Sequence, residues 1–162
     1  MNLEKRFNEL INKNFYISEC SVSMTTKQIF NNTTTLKNHI KDNLNKSFLC
    51  VDFINFYNTI KENKKEFDSL KFIVYNMNLY IEFENFKIDK RYILKSIDKK
   101  NHLIENNTIC KYSMEYIWDF LKDLKIKDIK EFESINISFN TDGLLFLDYR
   151  EVLILAPRIE NN

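Results

Sequence analysis

Glycine and proline are almost missing: Gly143 and Pro157 are the single examples of each in 162 residues. One glycine excludes phosphate-cradling loops and dinucleotide fingerprints, which need several glycines at fixed spacing. With so few turn formers in an Asn-rich chain, Asn must serve where Gly is usual. An excess of either charge is missing too. The 24 Lys and Arg against 23 Asp and Glu leave a net charge of +1, so the molecule as a whole is no electrostatic nucleic-acid binder, and any DNA contact must come from local patches. No apolar run approaches membrane-spanning length, and the opening MNLEKRFNEL has no signal-peptide core; no membrane partner is expected. Cys20, Cys50 and Cys110 are odd in number and widely spaced, with apolar neighbours on both sides of Cys50 and on one side of Cys110. They read as reduced thiols of an intracellular protein, cytoplasmic or nuclear. His39 and His102 are far apart in sequence with no Cys nearby, and the isolated carboxylates around them (Asp42; Asp98 and Glu105) complete no ligand set, so no metal is expected. Scattered Asp and Glu form no catalytic constellation, and the chain reads as a non-enzyme without cofactor.

What is present is apolar and aromatic. A hydrophobic content of 44% with 14% aromatics describes a folded chain, and the length suits one ordinary domain with a real core plus a partial second one.

The main organising feature is an internal repeat. EFDSLKFIVYNMNLYIEF from Glu66 and EFESINISFNTDGLLFLDY from Glu131 both open on E-F-(D/E)-S and alternate apolar with polar residues. Each then passes a polar turn (76–78 and 140–143) and resumes as a second strand, so each predicts a hairpin. The flanks match as well. A short strand, Phe48 to Val51, leads into a helix over Phe53 to Glu66 with Phe53, Phe56, Tyr57 and Ile60 on one face. A second strand, Thr108 to Tyr112, leads through Ser113 as N-cap into a helix ending at Leu124, with Tyr116, Ile117, Phe120, Leu121 and Leu124 on one face. Third strands follow at Arg91 to Ile97 and at Val152 to Ala156, the latter stopped by Pro157, with Arg158 to Asn162 as a tail leaving the body. The layout is β-α-β-β-β twice: an α+β fold with two helices on one face of antiparallel sheets.

Ahead of the repeat, LEKRFNELINK reads as a helix and NFYISECSVSM as a strand. Asn31 to Lys46 reads as a polar connector in which Leu36, Ile40 and Leu44 could line a short amphipathic helix. The expected organisation is therefore a remnant and connector over 1–45 and one complete domain over 46–162.

The repeat and its ending in Leu155, Ala156, Pro157, Arg158 and Ile159 resemble the C-terminal domain of sliding clamps of the proliferating cell nuclear antigen type, whose chains close on Leu-Ala-Pro-Lys-Ile. The resemblance covers about Lys46 to Asn162. It implies a DNA sliding clamp, or clamp subunit, that acts as polymerase processivity factor by tethering replication proteins to double-stranded DNA, held weakly and without sequence preference. Six such domains make a ring, so the chain would form a homo-oligomer or pair with a longer clamp subunit. DNA polymerase or other partners would dock by a short hydrophobic peptide against Ile154, Leu155, Ala156, Pro157, Asp142 and Gly143. DNA would face Asn58, Lys61, Lys65 and Lys122 on the helices. The first helix would also expose Asn55, Thr59 and Glu62, and the second Glu115, Asp119 and Asp123. That second face is net acidic, with Lys125, Lys127 and Lys130 following it. The alternative is a clamp-like interaction module without a ring, a regulator of replication or late transcription, with a virus as one setting.

Overall fold

A computed structural model describes residues 14–17, 20–25, 49–97, 104–124, 133–141 and 143–158, with only the backbone path given for the first two segments. The elements run β1 (Asn14–Ile17), β2 (Cys20–Thr25), β3 (Leu49–Asp52), α1 (Phe53–Asn63), β4 (Ser69–Tyr75), β5 (Asn78–Glu84) and β6 (Asp89–Lys95). The second half continues with β7 (Thr108–Ser113), α2 (Met114–Asp123), β8 (Ser134–Ser138), β9 (Leu145–Asp148) and β10 (Val152–Leu155). From β3 onward this is the expected β-α-β-β-β twice.

The halves exchange their first strands. β3 pairs with β8 and β7 with β4, so each half places its opening strand in the other half's sheet. One sheet is ordered β6-β5-β4-β7, the other β2-β1-β10-β9-β8-β3. Equivalent hydrogen bonds lock both crossings. Phe53 N–H donates to the Glu133 carbonyl and Met114 N–H to the Asp68 carbonyl, both at 2.9 Å. Asp68-Ser69 and Glu133-Ser134, the second halves of the two E-F-(D/E)-S segments, thus occupy like settings; Glu131 and Phe132 lie outside the described residues.

Two further bonds tie the sheets edge to edge: Ile97 N–H to the Cys50 carbonyl at 2.7 Å, and Arg158 N–H to the Lys111 carbonyl at 2.8 Å. Arg158 therefore does not begin a tail that departs. It turns back across β7, and its guanidinium reaches the Asp68 carbonyl at 3.4 Å. Pro157 still sits where β10 ends, as a residue without an N–H should.

One difference from the sequence expectation lies at the N-terminal side. NFYISECSVSM holds two strands rather than one, and β1 lies parallel to β10, Phe15 opposite Val152 and Ile17 opposite Ile154. The sheets are otherwise antiparallel. Helix α1 also stops earlier than expected, because the Asn63 carbonyl accepts from Glu66 and Phe67 N–H in a turn that redirects the chain into β4. The amphipathic connector over 31–46 lies outside the described residues, as does the helix over LEKRFNELINK.

Between the two sheets and under the helices lies one core, with Phe53, Phe56, Phe72, Phe83, Tyr112 and Phe120 among its largest fully buried side chains. Buried aromatics of this size carry much of the stabilisation, each removing a large apolar area from water. The β4–β5 turn is Asn76-Met77, both at positive φ (49° and 63°). Asn does replace Gly here, as it does at Asn107 (φ 67°).

Candidate DNA and partner interface

Helix α1 starts at Asp52, whose carboxylate accepts from Asn55 N–H at 2.9 Å. Its buried stripe is Phe53, Phe56, Thr59, Ile60 and Asn63. Thr59, expected at the surface, is buried because its hydroxyl donates to the Asn55 carbonyl at 2.7 Å, which removes the cost of taking it from water. Asn63 repeats the device by donating to the Thr59 carbonyl at 2.7 Å. Asn55, Asn58, Lys61, Glu62 and Lys65 are exposed as expected.

Helix α2 buries Met114, Ile117, Phe120 and Leu121. Tyr116, expected on that apolar face, is exposed, and Met114 takes its place inside. Ser113 stands at the N-cap, but its side chain makes no capping hydrogen bond. Glu115, Lys122 and Asp123 are exposed, while Asp119 is half-buried. Lys125, Lys127 and Lys130 lie outside the described residues.

The two helices meet through aromatic rings. Tyr57 and Trp118 have centroids 5.7 Å apart, Lys64 Nζ lies 4.0 Å over the Trp118 ring and Lys61 Nζ 5.9 Å over that of Tyr57. Cations so placed are held by the ring quadrupoles. Lys122 is engaged by Asp119 at 3.2 Å. Of the expected DNA-facing residues, Asn58 and Lys65 thus have no such partner among the described residues, whereas Lys61 and Lys122 do. Lys61, Lys64, Lys65 and Lys122 are offset by Glu62, Glu115, Asp119 and Asp123, so the potential over this face is weak.

An open groove of about 620 Å³ lies where the end of α1 meets the start of α2, lined by Lys64, Lys65, Phe67, Asp68, Ser113 to Tyr116, Trp118, Asp119 and Arg158. It brings together Lys65, singled out for DNA, and Arg158 from the terminal motif. Sequence reasoning passed over Lys64 and Trp118; the signal available was a lone Trp within reach of a Lys-rich helix end.

The expected peptide-binding residues are distributed otherwise. Ile154 and Leu155 are buried, at 2% and 1% exposure, Ala156 is exposed and Pro157 half-buried. Leu155 belongs to the main core, whereas Ile154, Val152 and Phe146 are buried apart from it, so β10 is covered on both faces. Gly143 is half-buried, and its carbonyl accepts from the Tyr112 hydroxyl at 2.8 Å; Asp142 lies outside the described residues. Among the described residues no cluster of His, Cys, Asp and Glu could hold a metal ion, and no helix is long and apolar enough to cross a membrane.

No protein-family model and no curated protein sequence matches the chain. Solved structures do. PCNA from Thermococcus kodakaraensis superposes with a TM-score of 0.55 at 20% identity, over 70% of this chain and 48% of that protein. The β subunit of the DNA polymerase of Streptococcus pyogenes gives 0.54 at 9% identity, over 71% and 32%. DNA polymerase III subunit β from Borrelia burgdorferi gives 0.52 at 15% identity, over 72% and 30%. The chain spans less than half the length of each. Two four-stranded antiparallel ladders with crossed opening strands and both helices on one side, matched over some 70% of the chain, are the fold of the sliding clamps.

Proposed function

We propose that the chain is a subunit of a DNA sliding clamp, a non-catalytic intracellular module that tethers replication proteins to double-stranded DNA. The observation that carries the reading is the duplicated half-domain with both helices on one side, shared with the three matched structures. The helix face would lie over the duplex, with Asn58, Lys61, Lys65 and Lys122 toward the phosphates. Contact there is weak and independent of sequence, since it rests on few cations and on no base-reading side chains. Oligomerisation, with more copies or with a longer clamp chain, supplies the rest of the enclosure. A polymerase or other partner would dock a short apolar peptide at Ala156 and Pro157, beside Gly143, with Ile154 and Leu155 as the floor. The deciding experiment compares retention of the assembled protein on closed circular DNA and on the same DNA linearised. A clamp stays on the circle and slides off free ends; equal loss from both rejects encirclement.

The balance of charge on the helix face favours a second reading: a clamp-like interaction module without a ring that regulates replication or late transcription. Peptide binding without any preference for circular DNA is its expected signature.

A further inference from the structure

We infer that Tyr112 is a positioning residue for the partner peptide: its hydroxyl holds one flank of the peptide site in place relative to the other. The inference rests on the reading of Gly143, Ala156 and Pro157 as that site. Strands β9 and β10 pair as far as Leu145 and Leu155. Carrying the same register two residues on sets Gly143 opposite Pro157, but there the ladder has ended. Each segment is fastened instead to a third strand, β7 of the other sheet. Strand β7 pairs with β4 through all six of its residues, and among the described residues no strand lies along its outer flank. The Lys111 carbonyl accepts from Arg158 N–H, the residue after Pro157, at 2.8 Å. Ile109 N–H donates to Thr141 Oγ1 at 3.5 Å, and the Tyr112 hydroxyl donates to the Gly143 carbonyl at 2.8 Å. Lys111 and Tyr112 are consecutive, so both flanks are tied to neighbouring points of one strand. A site whose walls are set before the ligand arrives loses less of its binding free energy to ordering them.

The anchor itself is rigid. The Tyr112 ring is fully buried, its centroid 5.8 Å from that of Phe72 and 6.3 Å from that of Phe139, which it meets edge-on. In so close-packed a setting the hydroxyl cannot swing away. The Cys110 thiol, 3.9 Å from the same carbonyl, is too weak a donor to replace it. Phe139 leads into the turn that Gly143 closes by donating its N–H to the Asn140 carbonyl at 3.0 Å. A Cβ at position 143 would stand 3.1 Å from Asn140 Cβ, closer than ordinary van der Waals contact. The single glycine of the chain thus falls where the turn leaves no room for a side chain. Removing the Tyr112 hydroxyl loosens this flank alone, while Arg158 keeps the other in place.

Under conditions where the variant is fully folded by circular dichroism, Tyr112→Phe should weaken a short aromatic-containing clamp-binding peptide about tenfold, read by fluorescence anisotropy. Thr141→Val removes the longer tie at an exposed position, where folding is not at risk, and should weaken the peptide about threefold. Phe83→Leu lowers stability in the core beside Phe67, away from both flanks, and should leave affinity unchanged. Isotope-labelled glycine gives a single amide signal, that of Gly143. Peptide should shift this signal in the wild type, and in Tyr112→Phe it should already be displaced before peptide is added. Wild-type affinity in both Tyr112→Phe and Thr141→Val, or an equal loss in Phe83→Leu, would overturn the positioning role while leaving the site. A wild-type chain that binds no peptide would overturn the site, and this inference with it.

Discussion

The Met114 amide donates to the Asp68 carbonyl at 2.9 Å, joining the first residue of α2 to the hairpin of the other half of the repeat. Phe53 and Glu133 do the same in reverse. Neither half owns a complete sheet, because β3 and β7 are exchanged. A fragment covering 49–97 alone, or 104–158 alone, should therefore be unfolded by circular dichroism, and mixing the two should restore strand signal. A fragment that folds by itself would show the exchange to be dispensable.

Tyr112 is fully buried and donates to the Gly143 carbonyl at 2.8 Å. Tyr112→Phe removes the donor and leaves the carbonyl short of a partner, which should cost about 1 to 3 kcal/mol. The readout is the urea midpoint. An unchanged midpoint would mean that water reaches Gly143.

For DNA, Lys61→Glu, Lys65→Glu and Lys122→Glu combined should reduce retention on circular DNA and flatten its salt dependence, by roughly one unit of log–log slope for each phosphate that is no longer neutralised. Glu115→Gln with Asp123→Asn should act in the opposite direction, as both carboxylates are exposed on the same helix. If neither set alters retention, this face does not meet DNA.

At the end of β10, Pro157→Ala should weaken a short aromatic-containing clamp-binding peptide about tenfold while sparing the fold, as measured by fluorescence anisotropy. Leu155→Ala is a poorer probe: that side chain is in the core, and its loss should cost about 2 to 5 kcal/mol of stability. A wild-type chain that binds no such peptide at high micromolar concentration would leave Pro157 with strand termination alone.

The elements were legible because they are written locally. Alternation set the hairpins, the face of Phe53, Phe56 and Ile60 set α1, and the E-F-(D/E)-S segments marked equivalent places in the two halves. Pairing was not legible, since nothing in the periodicity of β3 names β8 rather than β4 as its neighbour. Thr59 escaped because helical position alone ignores the hydroxyl bond to Asn55 that permits burial. The return of Arg158 to Lys111 and the seat of Lys64 on Trp118 escaped for a similar reason. Both join residues distant in sequence, and charge or strand propensity says nothing about them.

The parallel contact between β1 and β10 sets an order of events during synthesis. β1 leaves the ribosome long before its ladder partner, Val152 to Ile154. Until then β1 can pair with β2 alone, and an isolated two-stranded hairpin is marginal in water. Closure across so long a loop comes late because its entropy must be overcome before the contact gives any return. The β1–β2 edge should thus be the last part of the sheet to gain protection from hydrogen exchange in pulse-labelled refolding, and while it waits, the flank of β10 stays open to strands of other chains.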